Sequence, residues 1–209
     1  MIDVWVCATA NGVKPVILLE EMAIPYRVHI VDLIKGGHRA PELLAINPLG
    51  KVPMLRDPDG PDGRPIDIGE SGVMANYLVA KTGLLGGRSP RETVEIDYWS
   101  QAASATISAI MARKFWVTYL APEKIPSMID AVEADCRRYL QAFEDHLKAG
   151  RAYLVGERFT IADSLFWPHT HYSSAFLSVG LAPFPDLTDY RERLLARPSI
   201  ERAVRVVLG

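Results

Sequence analysis

The chain reads as α+β, with a βαβ unit, a short helix and a ββα unit in its first part and an all-α bundle in its second. Short apolar runs alternate with helix-period segments only as far as about residue 81. From "RSPRETVEIDYW" onward no convincing strand remains. Between the two regimes, "TGLLGGRSP" carries the glycines, serine and proline of a linker. The expected division is residues 1–82 for the mixed domain, 83–90 for the linker and 91–209 for the helical domain.

Each element has its own signal. "IDVWVC" opens as a strand, "VKPVILLEEM" follows with helical spacing, "YRVHIVDL" is a second strand and "APELLAI" a short helix. "VPMLRD" is a third strand headed by Pro53, because a proline cannot donate within a ladder. "PDGPDGRP" is a hairpin, "IDI" a short edge strand and "SGVMANYLVAK" a helix. Beyond the linker, helical spacing covers residues 90 to 120, 126 to 148, 160 to 178 and 186 to 206. "FTIADSLFWP" places Thr160 as N-cap with Asp163 three residues on. Asp163 therefore reads as structural, and its loss should cost about 0.5 to 2 kcal/mol of stability rather than chemistry.

With 49% apolar residues the chain can bury a full core. A net charge of -2, from acids and bases mixed along the length, points away from nucleic acid and from a polybasic membrane contact. A small molecule or another protein is the expected partner. Asp3 interrupts the first apolar run, and no run of about eighteen apolar residues exists, so neither a signal peptide nor a membrane span is read and a cytoplasmic location is expected. Cys7 and Cys136 show neither a disulfide framework nor metal-ligand spacing, so no metal is expected.

Three stretches can serve a ligand, and each also has a plain structural reading. In "ATANGVKP", Asn11 and Gly12 suit a turn. Equally, Thr9 and Asn11 put a hydroxyl and an amide beside a helix start, where an anion could sit. In "NPLGKVPMLRD", Pro53 is an ordinary strand entry, or else a cis bond after Val52 frees that residue's main chain to pair with an extended peptide. In "DIGESGVMANYL", Ser71 is a reasonable N-cap. The same helix start could instead hold a ligand carboxylate while Glu70 pairs with an adjacent ammonium. A thiol or anion site, a backbone-pairing site and an amino-acid end, in that order, describe a thiol peptide.

The strand opening, the "TANG" turn, "LEEM", "VDLIKGGHRAPELLAINPLGKVPML", "ESG" and "GERFTIADSLFWP" together resemble the cytosolic glutathione transferases, most closely the bacterial nu class. The resemblance covers essentially the whole chain. It implies a thioredoxin-like N-terminal domain, an all-helical C-terminal domain, glutathione as cosubstrate and a homodimer. Carried onto this sequence, it implies that Thr9 and Asn11 contact the glutathione sulfur and that Val52, before a cis Pro53, pairs with the cysteinyl main chain. Glu70 and Ser71 would hold the γ-glutamyl end, with His38 and Lys51 near the glycyl carboxylate. Three positions depart from the pattern. Ala10 stands where the class reads proline, Gly69 where relatives often carry phenylalanine, and Ala131 where some members have an arginine reaching glutathione.

The opening turn has the strength to ionise a thiol. A thiol of pKa about 8.5 needs a shift of about 1.5 units, roughly 2 kcal/mol, for half-ionisation at pH 7. Hydrogen bonds to a charged acceptor contribute about 1.5 to 3 kcal/mol each and a helix N-terminus about 0.3 to 1 kcal/mol. Thr9, Asn11 and the helix start suffice without a metal or a cation. Cys7 lies on the same side of the strand as Thr9 but has no cation beside it, and reads as a small core residue. Phe115, Trp116 and Tyr119, at helical spacing, read as core rather than as pocket lining. The expected activity is glutathione-dependent disulfide reduction or conjugation to small electrophiles. A non-catalytic binding or interaction module is the alternative, and a glutathione-dependent isomerase or dehalogenase a third.

Overall fold

A computed structural model describes residues 1–148, 150–176 and 180–209, without side chains for 174–176. The last residues of the helix expected over 160–178 lie outside the described residues. The chain forms two compact units, Met1–Gly86 joined by Leu195–Gly209, and Gly87–Leu194.

The first unit contains β1 (Ile2–Val6), α1 (Ala10–Glu21), β2 (Tyr26–Ile30), α2 (Pro41–Ile46), β3 (Met54–Asp57), β4 (Ile66–Ile68) and α3 (Ser71–Thr82). The sheet order is β2-β1-β3-β4. β1 runs parallel to β2 and antiparallel to β3, and β3 is antiparallel to β4. This is the expected βαβ and ββα arrangement. The helix returns the chain for a parallel pair, whereas the Gly/Pro/Asp loop closes an antiparallel hairpin. Along β1, Ile2, Val4 and Val6 are buried while Asp3 and Trp5 are half-buried, the period of two that the sequence shows.

From Gly12 to Leu19, α1 is buried on every side, because β1, α3 and the last helix, α9 (Pro198–Leu208), all pack on it. Ile200, Ala203 and Val207 form the buried face of α9. Arg197 clamps Glu21 with two hydrogen bonds of 2.8 Å, and Ser199 donates to the same carboxylate. Sequence order assigned residues 91–209 to the helical domain, but α9 groups with the first unit. Its amphipathic spacing announces a buried face without saying which surface covers it.

The second unit contains α4 (Pro90–Gln101), α5 (Ser108–Phe115), α6 (Pro126–Leu147), α7 (Ile161–Phe176) and most of α8 (Pro185–Leu195). Two π-helical segments, Ala102–Ile107 and Trp116–Leu120, interrupt the helix expected over 90–120. Asp163 is structural, as its spacing implied. Its carboxylate accepts from the Leu154 and Thr160 N–H groups at 2.9 Å, the Tyr190 hydroxyl at 3.0 Å and the Thr160 hydroxyl at 3.2 Å. Burial pushes its pKa up to about 6 against those four donors. Among the described residues, no helix is long and apolar enough to cross a membrane.

Candidate active site

Strand register gathers the candidate residues at one end of the sheet. Trp5, near the end of β1, faces Met54 at the start of β3, and Leu55 faces Ile68 at the end of β4. The β1–α1 turn, the Val52–Pro53 step and the β4–α3 loop therefore emerge from the same end of the sheet.

At the first of these, Thr9 is the N-cap of α1, with extended backbone (φ -141°, ψ 163°), and its hydroxyl accepts the Gly12 N–H at 3.2 Å. Asn11 and Gly12 are already helical, and neither adopts positive φ. Glycine is required at position 12 for a different reason. A Cβ there would lie 2.0 Å from the Cys7 carbonyl oxygen, so only glycine lets the helix start this close to the strand end. Cys7 is buried, and its sulfur stands 3.4 Å from the Thr9 hydroxyl oxygen. Burial raises its thiol pKa, partly offset by the Thr9 bond. That is the opposite of what a nucleophilic cysteine needs.

The Val52–Pro53 bond is cis, and Val52 packs with Trp5 against Val31, Leu43, Ile46 and Met54. Asn47, which the sequence reading did not single out, is buried. Its amide nitrogen donates to the Lys51 carbonyl at 2.9 Å and to the Gly69 carbonyl at 3.4 Å, and its oxygen accepts the Leu49 N–H at 3.1 Å. One side chain thus ties the loop before Val52 to the loop before Glu70. A Cβ on Gly69 would lie 2.6 Å from the Asn47 side chain. Asn47 occupies the space beside Gly69, the position where relatives often carry phenylalanine.

Ser71 is not the N-cap of α3. Helical backbone begins at Ser71 itself, and Glu70 occupies the cap position (φ -120°, ψ 128°) without a side-chain cap bond. The first N–H groups of α3 therefore have no side-chain acceptor from the cap residue. Glu70 is exposed.

A second residue that the sequence reading missed is Lys14, fully buried on α1 three residues beyond Asn11. Burial lowers its pKa to about 7, opposed by the charge of Glu70, so the two candidate helix starts are electrostatically joined. Its apolar neighbours on α1 hint at burial, but the partner across the fold is not local in the sequence.

His38 lies half-buried in the turn Gly37–Arg39, and its Nδ1 is buried with no hydrogen-bond partner among the described residues. Lys51 is exposed. In the second unit, Ala131 is exposed on α6. Cys136 is fully buried there, and its thiol is pushed up to about 11. Phe115, Trp116 and Tyr119 are 38%, 49% and 53% exposed, so they are not core. Helical spacing alone does not say which face of a helix meets solvent. Among the described residues no His/Cys/Asp/Glu cluster could hold a metal ion.

Two family models match the chain, the N-terminal domain of glutathione S-transferase over residues 10–81 and its C-terminal domain over residues 107–198. The disulfide-bond oxidoreductase YfcG of Escherichia coli strain K12 is 31% identical, over 98% of this chain and 94% of its own. The chain belongs to the glutathione S-transferase family. A glutathione transferase from Burkholderia graminis, solved with two glutathione molecules per subunit, is 27% identical with a TM-score of 0.90, over 97% of this chain and 87% of its own. The nitrogen regulation fragment of the yeast prion protein Ure2p is 26% identical with a TM-score of 0.88, over 98% and 96% of the two chains.

For this glutathione transferase the fold read from the sequence holds, with a four-stranded mixed sheet and helices in the first unit and helices alone in the second. The end of the sheet where β1 and β4 stop and β3 starts brings together a hydroxyl and an amide at the start of α1, the cis Val52–Pro53 bond, and the Glu70 carboxylate at a helix start that its side chain does not cap.

Proposed function

We propose that this glutathione transferase binds glutathione at this end of the sheet and ionises its thiol at Thr9 and Asn11. Val52 and Pro53 would pair with the cysteinyl main chain, Glu70 and Ser71 hold the γ-glutamyl end, and His38 and Lys51 face the glycyl carboxylate. The observation that carries the reading is the pair of helix starts at one end of the sheet. Thr9 is oriented by the Gly12 N–H, and α3 begins with no side-chain cap. The His38 Nδ1, buried without a hydrogen-bond partner among the described residues, adds support for a polar ligand beside it.

The thiolate so formed attacks one sulfur of a disulfide. The S–S bond breaks, a mixed disulfide with glutathione forms, and the other sulfur leaves as a thiolate that takes a proton from solvent. A second glutathione thiolate then displaces the remaining thiol, leaving glutathione disulfide, so two glutathiones supply the two electrons. The name of YfcG and the two glutathiones bound by the Burkholderia graminis enzyme favour this reduction over conjugation to a small electrophile. The nu-class placement rests on the ordered set of motifs from "TANG" through "VDLIKGGHRAPELLAINPLGKVPML" and "ESG" to "GERFTIADSLFWP", with Ala10 as a departure from the class pattern. The test is glutathione-dependent turnover of a small dialkyl disulfide and of an activated aryl halide. Faster reduction than conjugation is expected. Retention on immobilised glutathione with no turnover of either substrate would favour a regulatory module, the reading to which the likeness to the Ure2p fragment lends weight.

A cytoplasmic homodimer with no nucleic-acid, membrane or metal partner completes the proposal. Val94 and Tyr98, one turn apart on α4, are 68% and 65% exposed, which suits contact with a second copy. Sedimentation at micromolar concentration should give a dimer, and a single monomeric species would remove that part.

A further inference from the structure

The Thr9 hydroxyl has two lone pairs and one hydrogen to place. One lone pair accepts the Gly12 N–H at 3.2 Å, and the Cys7 sulfur stands 3.4 Å from the same oxygen. Those are the partners of this side chain among the described residues. The contact is built into the backbone. The Thr9 N–H donates to the Cys7 carbonyl at 2.7 Å, and Gly12 crosses that carbonyl at a distance no other residue allows.

Either atom of the Cys7–Thr9 pair can donate when no ligand is present. A bound thiolate removes that freedom. It can only accept, so the Thr9 hydrogen must point at it, and the contact with Cys7 then survives only if the cysteine S–H donates. Cys7 is suited to this, because burial keeps its proton in place.

We propose that Cys7 is a positioning residue whose S–H donates to Thr9 Oγ1, fills its remaining lone pair and commits the Thr9 hydroxyl to the glutathione sulfur. This rests on the reading of Thr9 as the thiolate's partner. The chain from S–H to O–H to thiolate is polarised in one sense, and each bond in such a chain strengthens its neighbour by about 10 to 30%. The cysteine thus assists ionisation without forming any covalent bond.

The test follows thiolate absorbance of the glutathione complex across pH for the parent protein, Thr9→Ala, Cys7→Ala, Cys7→Ser and the Thr9→Ala/Cys7→Ala double variant. Thr9→Ala should raise the thiol pKa of bound glutathione by about one unit or more. Cys7→Ala should raise it by about 0.3 unit, one link of cooperative strengthening. Cys7→Ser restores a donor and should return the parent profile, and Cys7→Ala should add nothing once Thr9 is alanine. If Thr9→Ala shifts the pKa and Cys7→Ala does not, the role of Cys7 is overturned and the proposed function stands. A shift in Cys7→Ser equal to that of Cys7→Ala, or one that persists in the double variant, also overturns it, since packing would then be the cause. An unmoved pKa in Thr9→Ala would take down both readings.

Discussion

Lys14 is the residue where burial and charge conflict most plainly. Its ammonium is taken wholly out of water, and only part of that cost is offset by Glu70. The folded state holds its pKa near 7 against 10.5 for an ordinary lysine, so unfolding takes up a proton anywhere between those values. Stability should therefore rise with pH through that window, by on the order of 3 kcal/mol from pH 7 to about pH 9.5. Lys14→Met removes the group and with it this rise. Urea melts of both proteins across the window measure it, and parallel stability curves would show that Lys14 carries no such penalty.

Glu70 acts at the same scale, from the opposite direction. It is exposed, so a ligand ammonium beside it would gain a charge-assisted bond. Glu70→Gln should weaken glutathione binding by about 1 to 3 kcal/mol. Calorimetric titration with an unaltered dissociation constant would remove the γ-glutamyl assignment.

Among elements, α1 shows how a helix start can be set by its neighbour. Replacing a helical glycine by alanine ordinarily gains about 1 kcal/mol. At position 12 the added Cβ would meet the backbone of Cys7 at 2.0 Å, an overlap that only separation of strand and helix can relieve. Gly12→Ala should therefore cost at least about 2 kcal/mol net and loosen glutathione binding as Thr9 moves. Thermal unfolding and calorimetry on the one variant check both, and a stabilised protein would contradict the close approach.

The strands, the hairpin and the helix of Asp163 were legible in the sequence, because a period of two, Gly/Pro/Asp turns and a cap spacing are local chemistry. The start of α1 was not. Thr9 and Asn11 look the same in a turn as at a helix cap, and the choice is made by how closely β1 and α1 approach. Ser71 was read as a cap because serine favours that place, whereas the backbone puts Glu70 there. The candidate ligand residues were visible as residue types. Asn47 and Lys14, which join them, were not, since what they touch lies on segments distant in sequence.

At the scale of the whole molecule, the fold closes on itself through its last helix. The first unit recruits Leu195–Gly209 from the far end of the chain, and the covered surface is α1, which carries Asn11 and Lys14 and is capped by Thr9. Ile200 and Ala203 are fully buried and Val207 nearly so, while Arg197 and Ser199 satisfy Glu21. Burying an isoleucine or valine side chain contributes about 1.5 to 3 kcal/mol, so this face and its ion pair supply about 5 kcal/mol or more. That matches the lower end of the total stability of a domain, about 5 to 15 kcal/mol. A chain ending at Leu194 should therefore lose the cooperative unfolding of the first unit and its affinity for glutathione together, although no candidate ligand residue has been removed. Hydrogen exchange should show α1 and β1 unprotected while α6 and α7 of the second unit keep their protection. If the truncated chain bound immobilised glutathione and protected α1 as the full chain does, α9 would be an accessory to the first unit rather than part of its core.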